Sequence, residues 1–263
     1  MEKKAHNIHA IITVAALVLA IASCGKSHEQ RNLTLISYNV GVFSKYVDDS
    51  KAGIAALIKD CGASYVGLNE LDSCNRRHDS YQVKELAAAL GEGWNFHYAS
   101  AFPYNGGSYG NGIVCNRTIK SRYRVVLPKG DGAEQRSLAV VETDECVFST
   151  CHLDHRNKEA ALSQMKTIND WMTKVYAGSQ KPVFLCGDFN VTPDSDLIAL
   201  AGTAWTQLSG TEFSFSTRKP SKCIDYIFAL KSAAPVQVTD YKVVTEGTAD
   251  LSDHFPLLVS VMF

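Results

Sequence analysis

Beyond residue 32 the chain alternates between continuous apolar runs and stretches whose apolar residues recur every three or four positions. These are the signatures of strands covered on both faces and of helices with one buried side. Residues 33–40 (LTLISYNV) predict a first strand, and residues 49–61 a helix with Ile54, Leu57, Ile58 and Cys61 on one face. Residues 65–71 predict the next strand, and residues 80–90 a helix that turns Val83, Leu86, Ala87 and Leu90 inward and stops at Gly91. Three strand candidates then follow, 110–117, 138–142 and 145–153, and strands in direct succession imply hairpins. The longest helix spans 157–177, with Ala161, Leu162, Met165, Ile168, Met172 and Val175 inward, and leads into a strand at Val183. Thr192 and Pro193 read as the N-cap and first residue of a helix to about Ala201. Strands at 224–230, 236–244 and 255–262 close the chain, and residues 104–112, rich in Gly, Asn and Tyr, read as loop. The pattern is that of an α/β fold with mixed sheets.

The first 23 residues stand apart. Lys3 and Lys4 precede an apolar stretch, residues 11–22, that is too short to span a bilayer comfortably, which is the layout of a signal peptide. Its end, Ile21-Ala22-Ser23-Cys24-Gly25, resembles the lipobox of bacterial lipoproteins. That resemblance implies lipidation of Cys24, with residues 24–32 forming the lipidated cysteine and a polar tether, and an extracytoplasmic protein anchored to a bacterial membrane on its periplasmic side or at the cell surface.

Composition narrows the rest. With 46% hydrophobic residues among 263, residues 33–263 can bury one large core, and no internal repeat divides them. The net charge of −1 leaves no basic footprint for holding nucleic acid by its phosphates alone, which weighs against a polynucleotide substrate but leaves it open. Of the cysteines, Cys115, Cys146, Cys151 and Cys186 lie in apolar runs and read as buried small hydrophobes. Cys61 and Cys74 are a pair whose bonding spacing alone leaves open, and no CxxC pattern points to zinc.

Several apolar runs deliver a polar group near one end. Asn39 follows LTLISY, Glu70 follows YVGLN, His152 follows CVFSTC, and Asp188 and Asn190 follow VFLCG. Asp225 stands near the start of CIDYIFAL, and Asp253 and His254 just before FPLLVSV. Charged groups beside buried strands are costly unless paired, solvated or metal-bound, and a shared cleft accounts for all of them. Carboxylates, amides and imidazoles without a cysteine cluster suit a hard cation such as Mg²⁺, with Mn²⁺ as an alternative. Such an ion neutralises phosphate and helps make a hydroxide nucleophile, while histidines carry protons near neutral pH. Phosphoester hydrolysis is the simplest chemistry that uses the whole set.

The motifs SYNV, LNE, GNGIVCNR, CHLDH, GDFN, IDYIF and SDHFP occur in the order seen in the endonuclease/exonuclease/phosphatase superfamily. The chain resembles its compact bacterial branch over residues 33–263. The resemblance implies a deoxyribonuclease I-like four-layer α/β sandwich, two mixed sheets face to face with helices outside. It implies Glu70 as the main metal ligand with Asn39 and Asp253 near the ion. His254 would be the general base or water-orienting group, held by Asp225, and Asp188 would position or activate the water. Asn190 would hold a phosphate oxygen, and His152 would stabilise phosphoryl oxygens or protonate the leaving group. An arginine often found in the helix after the histidine motif is absent, since Ala161 precedes Gln164 there, and Arg136 is the candidate replacement. Asp154 and His155 could line the cleft or cap the next helix.

The sequence therefore predicts a monomeric, lipid-anchored, Mg²⁺-dependent hydrolase of phosphoester bonds. A phosphodiesterase is expected, with a phospholipid or small phosphodiester favoured as substrate and a nuclease as the alternative. A non-catalytic lipoprotein of the same fold, binding a phosphate ligand, is the rival from another class. Stoichiometric ligand binding without metal-dependent turnover would mark it.

Overall fold

The computed structural model describes residues 30–263, so the predicted leader over 1–23 and Cys24 lie outside the described residues. The first part of the chain forms β1 (Asn32–Asn39), α1 (Lys51–Asp60), β2 (Tyr65–Ser73), α2 (Gln82–Leu90), β3 (Asn95–Tyr104) and β4 (Gly107–Cys115). The middle forms β5 (Ser121–Val126), β6 (Ser137–Glu142), β7 (Val147–His152), α3 (Lys158–Tyr176) and β8 (Val183–Asp188). The last part forms α4 (Asp196–Ala204), β9 (Trp205–Gln207), β10 (Asp225–Leu230), β11 (Gln237–Val243) and β12 (Leu257–Met262).

These strands build two six-stranded sheets, ordered β11-β12-β1-β2-β4-β3 and β5-β6-β7-β8-β10-β9. Each is mixed: β1 and β2 run parallel, as do β7 and β8, and their outer neighbours are antiparallel. Three apolar layers hold the stack together. Leu35, Tyr65, Ile113, Phe148, Phe184, Ile227 and Val259 fill the space between the sheets. Ile54, Ile58 and Leu86 of α1 and α2 cover Ile36, Val66 and Val114 of the first sheet. Met165, Ile168 and Met172 of α3 cover Leu185, Tyr226 and Phe228 of the second. This is the four-layer sandwich expected. Central strands covered on both faces explain why their sequences are apolar throughout, with no alternation. The sheets approach closely at Gly67, where a Cβ would lie 2.3 Å from Cys186 Sγ.

The departures from expectation are concentrated at edges. Strands β3, β5 and β9 were not announced by the sequence, and β5 is mostly exposed along its length, so it has no apolar run to reveal it. Residues 104–112 are a hairpin rather than a loop. Their glycines serve close strand approach: a Cβ at Gly110 would lie 2.2 Å from Ala99 O. Helix α4 starts later than predicted, with Ser195 as its N-cap, because Thr192 and Ser195 close a turn of their own (Ser195 N to Thr192 O, 3.1 Å). Val175 is 47% exposed, and Tyr176 takes the inward place, donating its hydroxyl to Glu142 at 2.6 Å. Cys61 and Cys74 are unbonded, whereas Cys115, Cys146, Cys151 and Cys186 are buried as expected.

Candidate active site

Strand pairing alone brings the predicted residues into rows. In the second sheet His152 lies opposite Asp188 in the β7–β8 register, and Asp225 opposite Asp188 in the β10–β8 register. Gly187 makes that row possible: its φ is +141° and a Cβ there would lie 1.9 Å from Cys151 O, so only glycine fits. In the first sheet Asn39 ends β1 beside Asn69 of β2. His254 sits just before β12, bridged to Phe215 and with its ring centroid 4.9 Å from that phenyl.

A bulge in β2 aims Glu70. Leu68 pairs with Gly112 and Leu71 with Gly110, so two residues oppose Asn111 alone. Glu70 has φ +59° there, a left-handed conformation that costs a side-chain-bearing residue about 1–3 kcal/mol and that tends to persist where function holds it. Its partner in the bulge, Asn69, turns under the site. The Asn69 amide donates to Asn111 Oδ1 (3.1 Å), Thr150 Oγ1 (3.3 Å) and Cys151 O (3.0 Å), and its oxygen accepts Asp188 N–H (2.9 Å). One buried side chain thus ties both sheets together directly beneath Asp188.

Asn39 links the two halves of the site. Its oxygen accepts Gly41 N–H (3.1 Å), which fixes the amide orientation, and its Nδ2 donates to Glu70 Oε1 and Asp188 Oδ2, both at 3.1 Å. So Asn39 pins two carboxylates in place. Asp225 Oδ2 accepts His254 Nδ1–H at 2.9 Å and Ser214 Oγ–H at 2.6 Å. The other ring nitrogen, Nε2, faces Asp188 Oδ2 at 3.6 Å. Ser214 was not singled out by sequence, nor was Asn69, because a polar residue inside an apolar segment carries no local sign of its partner.

Electrostatics follow from this burial. Desolvation opposes charge on His254, but Asp225, Asp188 and Asp253 outweigh it and push its pKa up to about 10. Burial, then the neighbouring Asp225 charge, raises Asp188 well above the usual carboxylate range, while His254 and Asn39 oppose the rise. His152 behaves in the opposite way. Burial and then Arg136, His254 and His155 hold it well below 6.5, so it is a neutral imidazole. Its Nε2 lies 3.5 Å from Asp188 Oδ2 and its Nδ1 is buried without a partner.

These residues open on a cavity of about 620 Å³ lined by Glu70, Arg136, His152, Asp188, Asp253 and His254, among others. Asn39 and Asp225 stand behind them. Asn190, at φ +56°, also lines it; its N–H donates to Asp188 Oδ1 (2.9 Å) and its amide to Leu153 O (3.1 Å). Arg136 is 2% exposed, with Nη2 3.2 Å from His155 Nδ1 and 3.4 Å from Glu134 Oε2 and with Nε unpartnered. His155 lines the same cavity. Asp154 does not: it accepts the N–H groups of Ala133, Arg156 and Asn157 and shapes the turn before α3.

The donor set fits a metal ion. Asp188, Asp225 and His254 bring ligand-type atoms within 4.8 Å of one another, but Asp225 Oδ2 and His254 Nδ1 are taken up by each other, which leaves the carboxylates of Glu70, Asp188 and Asp253 to meet an ion in the cavity. Asp225 Oδ1 is buried and unpartnered, and the carboxylates of Glu70 and Asp253 reach the same cavity. Oxygen donors without a thiolate suit a hard cation.

Comparison with known proteins agrees with this geometry. Residues 36–254 match the Endonuclease/Exonuclease/phosphatase family profile. No curated protein matches the chain. A solved endonuclease/exonuclease/phosphatase family protein from Bacteroides thetaiotaomicron is 20% identical, with a TM-score of 0.72 over 90% of this chain and 97% of that one. A mannosyl-6-phosphatase from Bacteroides thetaiotaomicron VPI-5482 is 22% identical (TM-score 0.71; 88% and 100% covered). ANGEL2, a 2′,3′-cyclic phosphatase, is 14% identical (TM-score 0.69; 89% and 95% covered). At these identities the likeness is one of fold.

Proposed function

The chain belongs to the endonuclease/exonuclease/phosphatase family, and from that premise we propose that it is a Mg²⁺-dependent phosphodiesterase that attacks phosphorus with water. The observation that carries this reading is the line Asp225–His254–Asp188, in which a buried carboxylate orients an imidazole (2.9 Å) whose other nitrogen meets a second carboxylate (3.6 Å) at the cavity wall. Mg²⁺, held by Glu70 with Asp253 nearby, would neutralise the phosphate and acidify water beside it.

The side chains divide the remaining work. Asp225 holds the His254 ring so that Nε2 faces the cavity, as a carboxylate orients histidine in other hydrolases. Nε2 and Asp188 Oδ2 lie close enough to contact one water together; with its pKa raised to about 10 the His254 ring is protonated near neutral pH, so its Nε2–H orients the water and the Asp188 carboxylate takes the proton as the water attacks. His152, being neutral, serves as a hydrogen-bond donor to a phosphoryl oxygen, a role that suits it better than protonating the leaving group. One amide hydrogen of Asn190 is committed to Leu153, and the other is available to the phosphate. Arg136, which lines the cavity, supplies positive charge to it. No covalent enzyme intermediate is needed.

Hydrolysis of a phosphomonoester is the second reading, favoured by the fold shared with the solved mannosyl-6-phosphatase. Beyond the chemistry, we propose that the enzyme is a monomer that works outside the cytoplasm on a lipid anchor, the location and anchor resting on the leader and Cys24 alone. The test compares bis-p-nitrophenyl phosphate with p-nitrophenyl phosphate, with Mg²⁺ and with EDTA. The diester should be cleaved faster, and only with metal. Faster monoester cleavage would reverse the substrate class, and an EDTA-resistant rate would remove the metal.

A further inference from the structure

One lysine pairs with a carboxylate that lines the cavity. Lys45, on the loop after β1, places Nζ 2.7 Å from Asp253 Oδ2, with side-chain exposures of 40% and 13%. The lysine therefore sits against Asp253, one of the carboxylates that line the cavity.

This reach is built into the fold. Gly41 has φ +52°, and a Cβ there would lie 3.2 Å from Lys45 Cβ and 3.4 Å from Lys45 Cδ, so the lysine stem packs over a residue without a side chain. The loop itself is anchored: Ser44 Oγ meets His78 Nε2 at 3.1 Å, and His78 Nδ1 meets Asp72 Oδ2 at 2.7 Å. Asp72 is fully buried and also holds Arg77 through two bonds of 2.8 and 2.9 Å. On the other flank, the Arg218 guanidinium lies 3.7 Å above the Tyr46 ring, and Thr217 N–H donates to Asp253 O at 3.0 Å. Both partners of the Lys45–Asp253 pair are thus fixed by separate networks, unlike a free surface ion pair, which contributes little.

We propose that Lys45 is a built-in counter-cation of the metal site, occupying the Asp253 arm so that the protein holds one divalent ion, centred on Glu70, and holds it against the charge of the lysine. The inference rests on the metal-dependent reading above. A cation that approaches Glu70 and Asp253 either displaces the ammonium from its carboxylate or shares that carboxylate with it. Either way, like charge at close range in a partly buried site weakens the ion's binding.

The test titrates Mn²⁺ into the protein, followed by calorimetry and by loss of the free-ion electron paramagnetic resonance signal. Wild type should bind one ion. Lys45→Met should bind Mn²⁺ at least tenfold more tightly, Lys45→Arg should stay near wild type, and Glu70→Gln should lose binding. Thermal melts in EDTA confirm that each variant is folded. Equal or weaker Mn²⁺ binding by Lys45→Met overturns the role of Lys45 alone. Absence of Mn²⁺ binding in every variant, together with a rate insensitive to EDTA, overturns the metal-dependent reading and this inference with it.

Discussion

Replacing Asn69 with alanine probes how the two sheets are locked beneath the site. The wild-type amide is fully buried and serves four partners across both sheets. Alanine strips Asp188 N–H and Asn111 Oδ1 of this partner, and each buried polar group left unsatisfied costs about 1–3 kcal/mol. Two such groups give about 2–6 kcal/mol, before any void is counted. Against a total stability of about 5–15 kcal/mol for a typical domain, this is a large fraction. Urea denaturation in EDTA should show a lower midpoint with an unchanged slope, and kcat should fall because the backbone that carries Asp188 loses its anchor. A loss under about 1 kcal/mol would refute the reasoning, since it would mean that water or relaxation satisfies the orphaned groups. Asn69→Asp, which keeps size and acceptor but loses the donors and adds a buried charge, should be destabilised as well.

Other outcomes follow from the same geometry. Asp225→Asn, which loses the carboxylate that orients His254, should lower kcat about 10²–10⁴-fold with little change in fold, as read by steady-state kinetics and circular dichroism. Ser214→Ala removes a hydrogen bond to Asp225 Oδ2 and should lower kcat less than Asp225→Asn does; an equal loss would give the hydroxyl a larger role. Gly187→Ala forces a Cβ into Cys151 O and should destabilise by about 3 kcal/mol or more, read by thermal melting. In metal-free protein the pKa of His254 is raised from 6.5 to about 10. Its contribution to stability is therefore complete below about pH 6.5 and lost as pH rises through about 10, and Asp188, also raised, acts in the same direction. Melting temperature in EDTA should fall across that window, and His254→Gln should flatten the fall; an unchanged slope would mean that His254 is not the group titrating.

The parts of the fold that sequence made legible are those buried on both faces. Runs such as VFLCG and LTLISY must be strands in a covered sheet, and the polar residue ending each run must find a site. That logic anticipated Glu70, His152, Asp188, Asn190, Asp253 and His254, which line one cavity with Arg136, and Asn39 and Asp225, which stand behind them. Edge strands such as β5 were hidden because one-sided, exposed pairing leaves no apolar run. Glycines at 107 and 110 suggested a loop, yet they mark close backbone approach within a hairpin. Asn69, Ser214 and Lys45 were hidden for another reason: each gains its meaning from a partner outside its own segment, Asp188, Asp225 and Asp253 respectively. The role of Asn69 exists only once the two sheets are stacked.

The central claim is hydrolysis by a water held between His254 and Asp188, and it is tested most directly by turnover of bis-p-nitrophenyl phosphate in H₂¹⁸O with Mg²⁺, beside His254→Ala. The account predicts one ¹⁸O in the phosphate product and none in the nitrophenol. It also predicts no burst of nitrophenol before steady state, and a rate about a hundredfold or more lower without the imidazole. Label in the nitrophenol, a burst that signals a covalent intermediate, or an undiminished rate in His254→Ala would contradict it.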